Sequence, residues 1–383
     1  MSKINVRSPY YITTGTVTNL TSTQLELYIY QGTQTVRGTR IYLLNSFAVD
    51  NVCTFEIAEL VRDYFTNVFD GDYSTDIWWV DYRTTQFVQG AAQTTSGYTL
   101  LKAFFGYGLF EDGAQNTVLT PSSTTTINNQ AVLQSNTKIV KLDDAPAVIA
   151  VDTSLATQVT YQLNGQQVYT KAITPSSPPT STTQIEYVTS GINGSDEFED
   201  RVIQDNGTFE GSDCLTAFEG EYTLFDFDTI LVDSSTGVTK LTVTNESECK
   251  FTPYKITFIN KYGTLQDIWF FKRTNETLTT KTEKFKKNII SAASYSISNH
   301  QDKTLTKNGK EKLTLNTGYY PEAYNEVFKE MQLSEDCWIE INSKTLPIQV
   351  TSSSFAYKTQ LNDKIINYTI EIEFAFDTIN NIR

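Results

Sequence analysis

Few residues in this chain combine a reactive type with a setting that supports chemistry. The single histidine, His300, sits in the polar run Asn299-His-Gln-Asp302. Imidazole-assisted attack needs a serine or cysteine partner, and the sequence holds neither a GxSxG elbow nor a cysteine-protease signature. His300 therefore reads as a surface side chain. Asp226-Phe-Asp228 puts two carboxylates on one face of a strand, an arrangement a glycosidase pair can use. The same spacing is common on exposed β faces. Cys53, Cys214, Cys249 and Cys337 are scattered without a CxxC or other metal-ligand spacing, so they read as free buried thiols of a reducing compartment. The acidic stretch 186–233, with Asn193–Asp200 and Asp205-Asn-Gly207, lacks the spaced ligands and closing Glu of a calcium loop and reads as a solvated acidic face. Neither GxGxxG nor GxxxxGK[ST] is present to cradle a phosphate. The expectation is no enzyme, with no catalytic residue, cofactor or metal.

What remains points to contact surfaces. A length of 383 residues allows two or three domains. Aromatics reach 13%, with 22 Tyr and 22 Phe, and only 19% is charged, a profile that favours strands and turns. The net charge of −14 argues against wrapping nucleic acid. That charge is uneven. Met1–Cys249 holds 12 basic and 29 acidic residues, Lys250–Lys312 holds 13 and 5, and the remainder holds 5 and 10. A basic middle can pair with an acidic surface on a neighbouring copy, or be a plain solvated run. The first ten residues carry no apolar core of signal-peptide length, and no apolar run of about 18 residues occurs. Synthesis in a cytosol without membrane insertion is expected.

The elements that position the aromatics follow from periodicity. Around Asn260-Lys261-Tyr262-Gly263, the alternating Tyr254, Ile256, Phe258 and Leu265, Ile268, Phe270 predict a hairpin, with Gly263 supplying a positive φ. Ile268-Trp-Phe-Phe271 is apolar on both faces, which suits a strand covered by its own domain and by a partner. Ile57, Leu60, Val61, Tyr64, Phe65 and Val68 share one helical face, so a helix is predicted over 54–69 with Thr54 as N-cap. Tyr324, Val327, Phe328 and Met331 predict a second over 321–332, and Lys364–Asp377 alternates as an amphipathic strand. Lys307-Asn-Gly-Lys310 reads as a turn. The polar loop 86–138 carries the knot Phe104-Phe-Gly-Tyr-Gly-Leu-Phe110, which either reaches a neighbour or pins the loop to its own domain. The Pro/Ser/Thr run 175–184 is the best linker.

Several short runs carry a resemblance. Arg7-Ser-Pro-Tyr-Tyr-Ile12, Phe55–Tyr64, Tyr254–Gly263 with Trp269-Phe-Phe-Lys272, and Asn367–Phe376 together resemble structural tail proteins of tailed bacteriophages, of the type found in phages of Bacteroidetes-like hosts. The resemblance implies a distal-tail or baseplate component that forms a ring in the virion and docks other tail proteins. It brings no catalytic residues. The resulting expectation is a mainly β chain of two β-sandwich-like modules, each with a short amphipathic helix: residues 1–174, the linker 175–184, and residues 185–383. Expected partners are further copies of the chain, other phage tail proteins and a host surface receptor. The candidate interface residues are Phe104, Phe105, Tyr107, Phe110, Tyr262, Trp269 and Phe271. A receptor- or glycan-binding tail protein and a tail-associated polysaccharide hydrolase are the alternatives.

Overall fold

The computed structural model describes residues 2–89, 91–112, 130–143, 145–174, 180, 184–189, 227–235, 237–352 and 365–379. The chain is mainly β, about 55% strand and 7% helix, with sandwich-like sheets. It divides into two compact units. The first takes Met1–Ser247, Thr257–Ile268 and Ala323–Ser334, and the second takes Glu248–Ile256, Trp269–Glu322 and Glu335–Arg383.

The first unit holds two main sheets. In one, Ser2–Asn5, Thr99–Phe104, Trp78–Val88, Leu20–Tyr30 and Tyr42–Phe47 lie in that order, with Ala91–Thr95 added to Trp78–Val88. Ser2–Asn5 joins Thr99–Phe104 in parallel. The other runs Gln166–Ala172, Ala156–Leu163, Thr229–Ser234, Gly237–Glu246 and Lys138–Leu142. Asn164 and Gly165, both at positive φ, form the turn of its first hairpin, as Asn-Gly turns do. Tyr30, Ile77, Trp79 and Phe104 pack in one cluster with Leu133, Ala150, Ile185 and Tyr262.

That packing moves the domain boundary. The linker expected at 175–184 lies largely outside the described residues. The strands on either side of it, Val148–Asp152 and Ile185–Thr189, pair antiparallel with each other inside the first unit. Proline content marked a break in the backbone there, and the ladder across it keeps both flanks in one unit. Both helices also belong to the first unit, rather than one to each module.

The first helix, α1, is Ala58–Arg62, shorter than the 54–69 expected. Thr54–Glu56 is captured as a strand by Tyr11–Thr13, which moves the N-cap to Ile57. The Glu56 Oε1 then accepts from the Ala58 N–H at 2.8 Å and the Tyr10 N–H at 3.2 Å. Ile57 and Val61 still face the core, while Tyr64 and Phe65 leave the helix to pack their rings on Trp78. The second helix, α2, is Asn325–Leu333, preceded by a 3-10 turn at Glu322–Tyr324. Its expected face, Tyr324, Val327, Phe328 and Met331, is buried.

The second unit supplies most of a seven-stranded sheet in the order Leu265–Phe270, Tyr254–Ile259, Cys337–Ile341, Lys344–Val350, Ile365–Phe374, Asp302–Pro321 and Lys272–Lys286, of which Thr257–Ile259 and Leu265–Ile268 count with the first unit. Ile365–Phe374 keeps the predicted alternation, with Tyr368, Ile370, Ile372 and Phe374 buried and Thr369 and Glu371 exposed. Lys307–Lys310 is no turn. It lies inside the 20-residue strand Asp302–Pro321.

Candidate assembly surfaces

Two hairpins bear on contact with other molecules, and they differ in where their ends go. The first, Tyr254–Ile259 with Leu265–Phe270, carries its turn inside the first unit. The Asn260 side chain organises that turn. Its Oδ1 accepts from the Tyr262 N–H at 3.0 Å and the Thr264 N–H at 3.2 Å, and its Nδ2 donates to the Leu133 carbonyl at 2.8 Å and to Gln266 Oε1 at 3.1 Å. Gly263 sits at φ +78, and a Cβ there would lie 2.7 Å from the Phe105 nitrogen. A Cβ on Gly106 would lie 2.5 Å from the Lys261 oxygen. The two glycines therefore permit a backbone-to-backbone approach that a side chain forbids, and the Tyr107 N–H donates to the Lys261 carbonyl at 2.8 Å across it. The Tyr262 hydroxyl donates to Gln130 Oε1 at 2.9 Å.

Glu330 of α2 closes the site from the other side. Its carboxylate accepts from the Ser135 hydroxyl, and Lys261 Nζ lies 3.6 Å away. Burial raises the Glu330 carboxyl above the usual range, more than the nearby Lys261 charge lowers it. We call this inserted turn the plug.

The plug decides the fate of most of the candidate contact residues. Phe104, Phe105, Tyr107 and Tyr262 are buried in the first unit, so they pin the chain to itself. Phe271 is buried in the second unit, between the rings of Trp269 at 6.3 Å and Tyr320 at 6.2 Å, and Trp269 is half-buried. Five of the seven residues expected to meet a partner are thus covered by the chain itself. Phe110 alone among the seven is fully exposed, in the 3-10 turn Phe110–Asp112.

The second hairpin, Lys272–Lys286 with Asp302–Pro321, is the contrary case. At its root Asp302–Pro321 pairs with Ile365–Phe374, but only from Lys312 onward. From Leu278 to Lys286, about 30 Å of strand, it is a two-stranded ribbon. Among the described residues the 377–379 segment meets it at Asn308 and Gly309. Three root lysines have carboxylate partners: Lys272 pairs with Glu248 at 2.6 Å, and Lys310 and Lys312 share Glu373 at 3.0 and 2.9 Å. Among the described residues, Lys281, Lys284, Lys286, Lys287, Lys303 and Lys307 carry no ion pair. Between Lys287 and Asp302 lie fourteen uncharged residues, with Ile290, Tyr295 and Ile297 exposed. Ala292 and Ala293, at φ 49 and 62, form the turn closed by Ser291 and Ser294. No candidate residue chosen from the sequence falls on this ribbon.

The chemical candidates are dispersed through the described residues, and Asp228 has a structural role. Asp228 Oδ2 accepts from the Asn164 N–H at 2.7 Å and so holds a hairpin turn, while Asp226 lies outside the described residues. His300 is exposed beside the ribbon's tip. Cys53 and Cys337 are buried free thiols, Cys249 is exposed instead of buried, and Cys214 lies outside the described residues. The acidic stretch 186–233 is described only at its two ends. Lys3 pairs with the fully buried Asp152. Burial pushes the Asp152 carboxyl up, yet the Lys3 and Lys102 charges outweigh it and hold the group below the usual range. Among the described residues no group of three or more His, Cys, Asp or Glu is placed to hold a metal ion. No helix of the described residues is long and apolar enough to cross a membrane.

No protein-family model matches this sequence, and no curated protein matches it. Among solved structures the chain is similar to Drosophila OTK, extracellular domains 3-5, at 10% identity over 80% of this chain and 87% of that one. The TM-score of 0.19 carries no statement about fold or role.

Proposed function

We propose that this chain is a structural protein of a bacteriophage virion, placed at the tail tip or baseplate, that works by associating with copies of itself and docking neighbouring tail proteins. One observation carries the reading. Among the described residues the ribbon's distal part, from Leu278 to Lys286 with its partner strand, pairs with no third strand and offers exposed apolar side chains and unpaired lysines to solvent. A two-stranded ribbon is marginal alone in water, so an element of this length is favoured where something else covers it. The resemblance of Tyr254–Gly263 and Asn367–Phe376 to phage tail proteins supplies the setting.

Electron microscopy of particles carrying a labelled copy of this subunit tests the reading. Density in a closed ring at the tail end is expected. Label on the capsid, on host-facing fibres, or nowhere in the particle would overturn it.

A further inference from the structure

We infer that the ribbon of one copy docks on a second copy of this chain, across the acidic segment 59–76. This rests on the assembly reading above and deepens it by naming the contact. Charge favours a second copy as the occupant. Lys272–Lys312 holds ten of the 30 Lys and Arg but four of the 44 Asp and Glu, so the rest of the chain keeps 20 basic against 40 acidic residues. The ribbon is thus a strongly positive element on an otherwise strongly negative molecule. Its root lysines already have Glu248 and Glu373, which leaves the distal six to find carboxylates elsewhere.

The first unit offers them. Glu59, Asp63, Asp70, Asp72 and Asp76 are all exposed within 18 residues, against one basic residue, Arg62. Among the described residues none of the five carboxylates has an ion pair. The uncharged tip with Ile290, Tyr295 and Ile297 adds apolar area that a purely electrostatic contact would not need. A contact between two different surfaces is head-to-tail, and repetition closes it into a ring or extends it as a filament. Its charge character makes it salt-sensitive.

Sedimentation velocity of the full chain at low salt tests this. Wild type is expected as an oligomer that dissociates as salt rises. The triple variant K281E/K284E/K286E is expected as a monomer, and so is D70K/D72K/D76K. An equimolar mixture of the two should associate again, because each reversed surface then meets its complement. Every substituted position is exposed, so circular dichroism and Tm should match wild type and exclude misfolding. A wild type that is monomeric at all concentrations, a ribbon variant that associates normally, or a mixture that stays monomeric would overturn the inference. So would a monomer that co-sediments with phosphatidylserine vesicles through Ile290 and Ile297, which would make the ribbon a lipid-binding element. The two proposals fail separately: association through the ribbon without tail incorporation sinks only the tail reading, and tail incorporation by unaffected ribbon variants sinks only the docking.

Discussion

The plug and the ribbon are both β-hairpins, yet one is sealed inside the chain and the other stands in water. The difference lies in what each carries at its turn. The plug ends in Asn260, Gly263 and Thr264, whose polar groups bond to one another and to Leu133, so burial leaves no donor stranded. The ribbon is flanked by lysines whose charges are expensive to bury without partners. Alternation makes a hairpin, and the bonding of its polar groups decides whether the hairpin becomes core.

The comparison can be broken in the plug first. Gly263→Val adds a β-branched Cβ at positive φ against the Phe105 backbone, and should cost roughly 3–5 kcal/mol of stability or prevent folding, read by urea denaturation. Asn260→Ala should cost roughly 2–4 kcal/mol, because the groups it serves are buried and lose their partners. Glu330→Gln probes the plug's rear wall through pH. A carboxyl raised on folding stabilises most below its unfolded pKa and loses that contribution as pH rises through its folded value. The Tm advantage of the Gln variant over wild type should therefore grow from acid toward neutral pH. A constant difference would show that Glu330 does not titrate in this way. The ribbon supplies the smallest effect: Ile297→Ser, at a side chain 93% exposed, should move the stability of the monomer by no more than about 0.5 kcal/mol. A larger loss would mean the tip is packed.

Much of this was legible in the sequence, and the failures have distinct physical causes. The turn at Gly263, the alternation of Ile365–Phe374 and the buried face of α2 are local patterns, and they emerged as read. Phe104 and Tyr262 are some 150 positions apart, and no periodicity in one sequence tells that they share one buried cluster. Apolar surface that looked in need of a partner had its partner further along the chain. The ribbon was missed for the opposite reason. Its Thr and Lys alternate without an apolar face, and Asn308-Gly309 suggests a turn where the ladder runs straight through. The helix at 54–69 shrank because Tyr11–Thr13, forty residues earlier, claims its first three residues as a strand.

The first unit is assembled from three stretches separated along the polypeptide, the last ending at Ser334. On a ribosome the amino-terminal sheets emerge long before Thr257–Ile268 exists to seat against Leu133 and Phe105. For that interval a nascent chain shows Tyr30, Trp79 and Phe104 without the Tyr262 ring that joins their cluster. Completion of the first unit thus waits on translation through Ser334, and that delay is when holding chaperones would have most to grip.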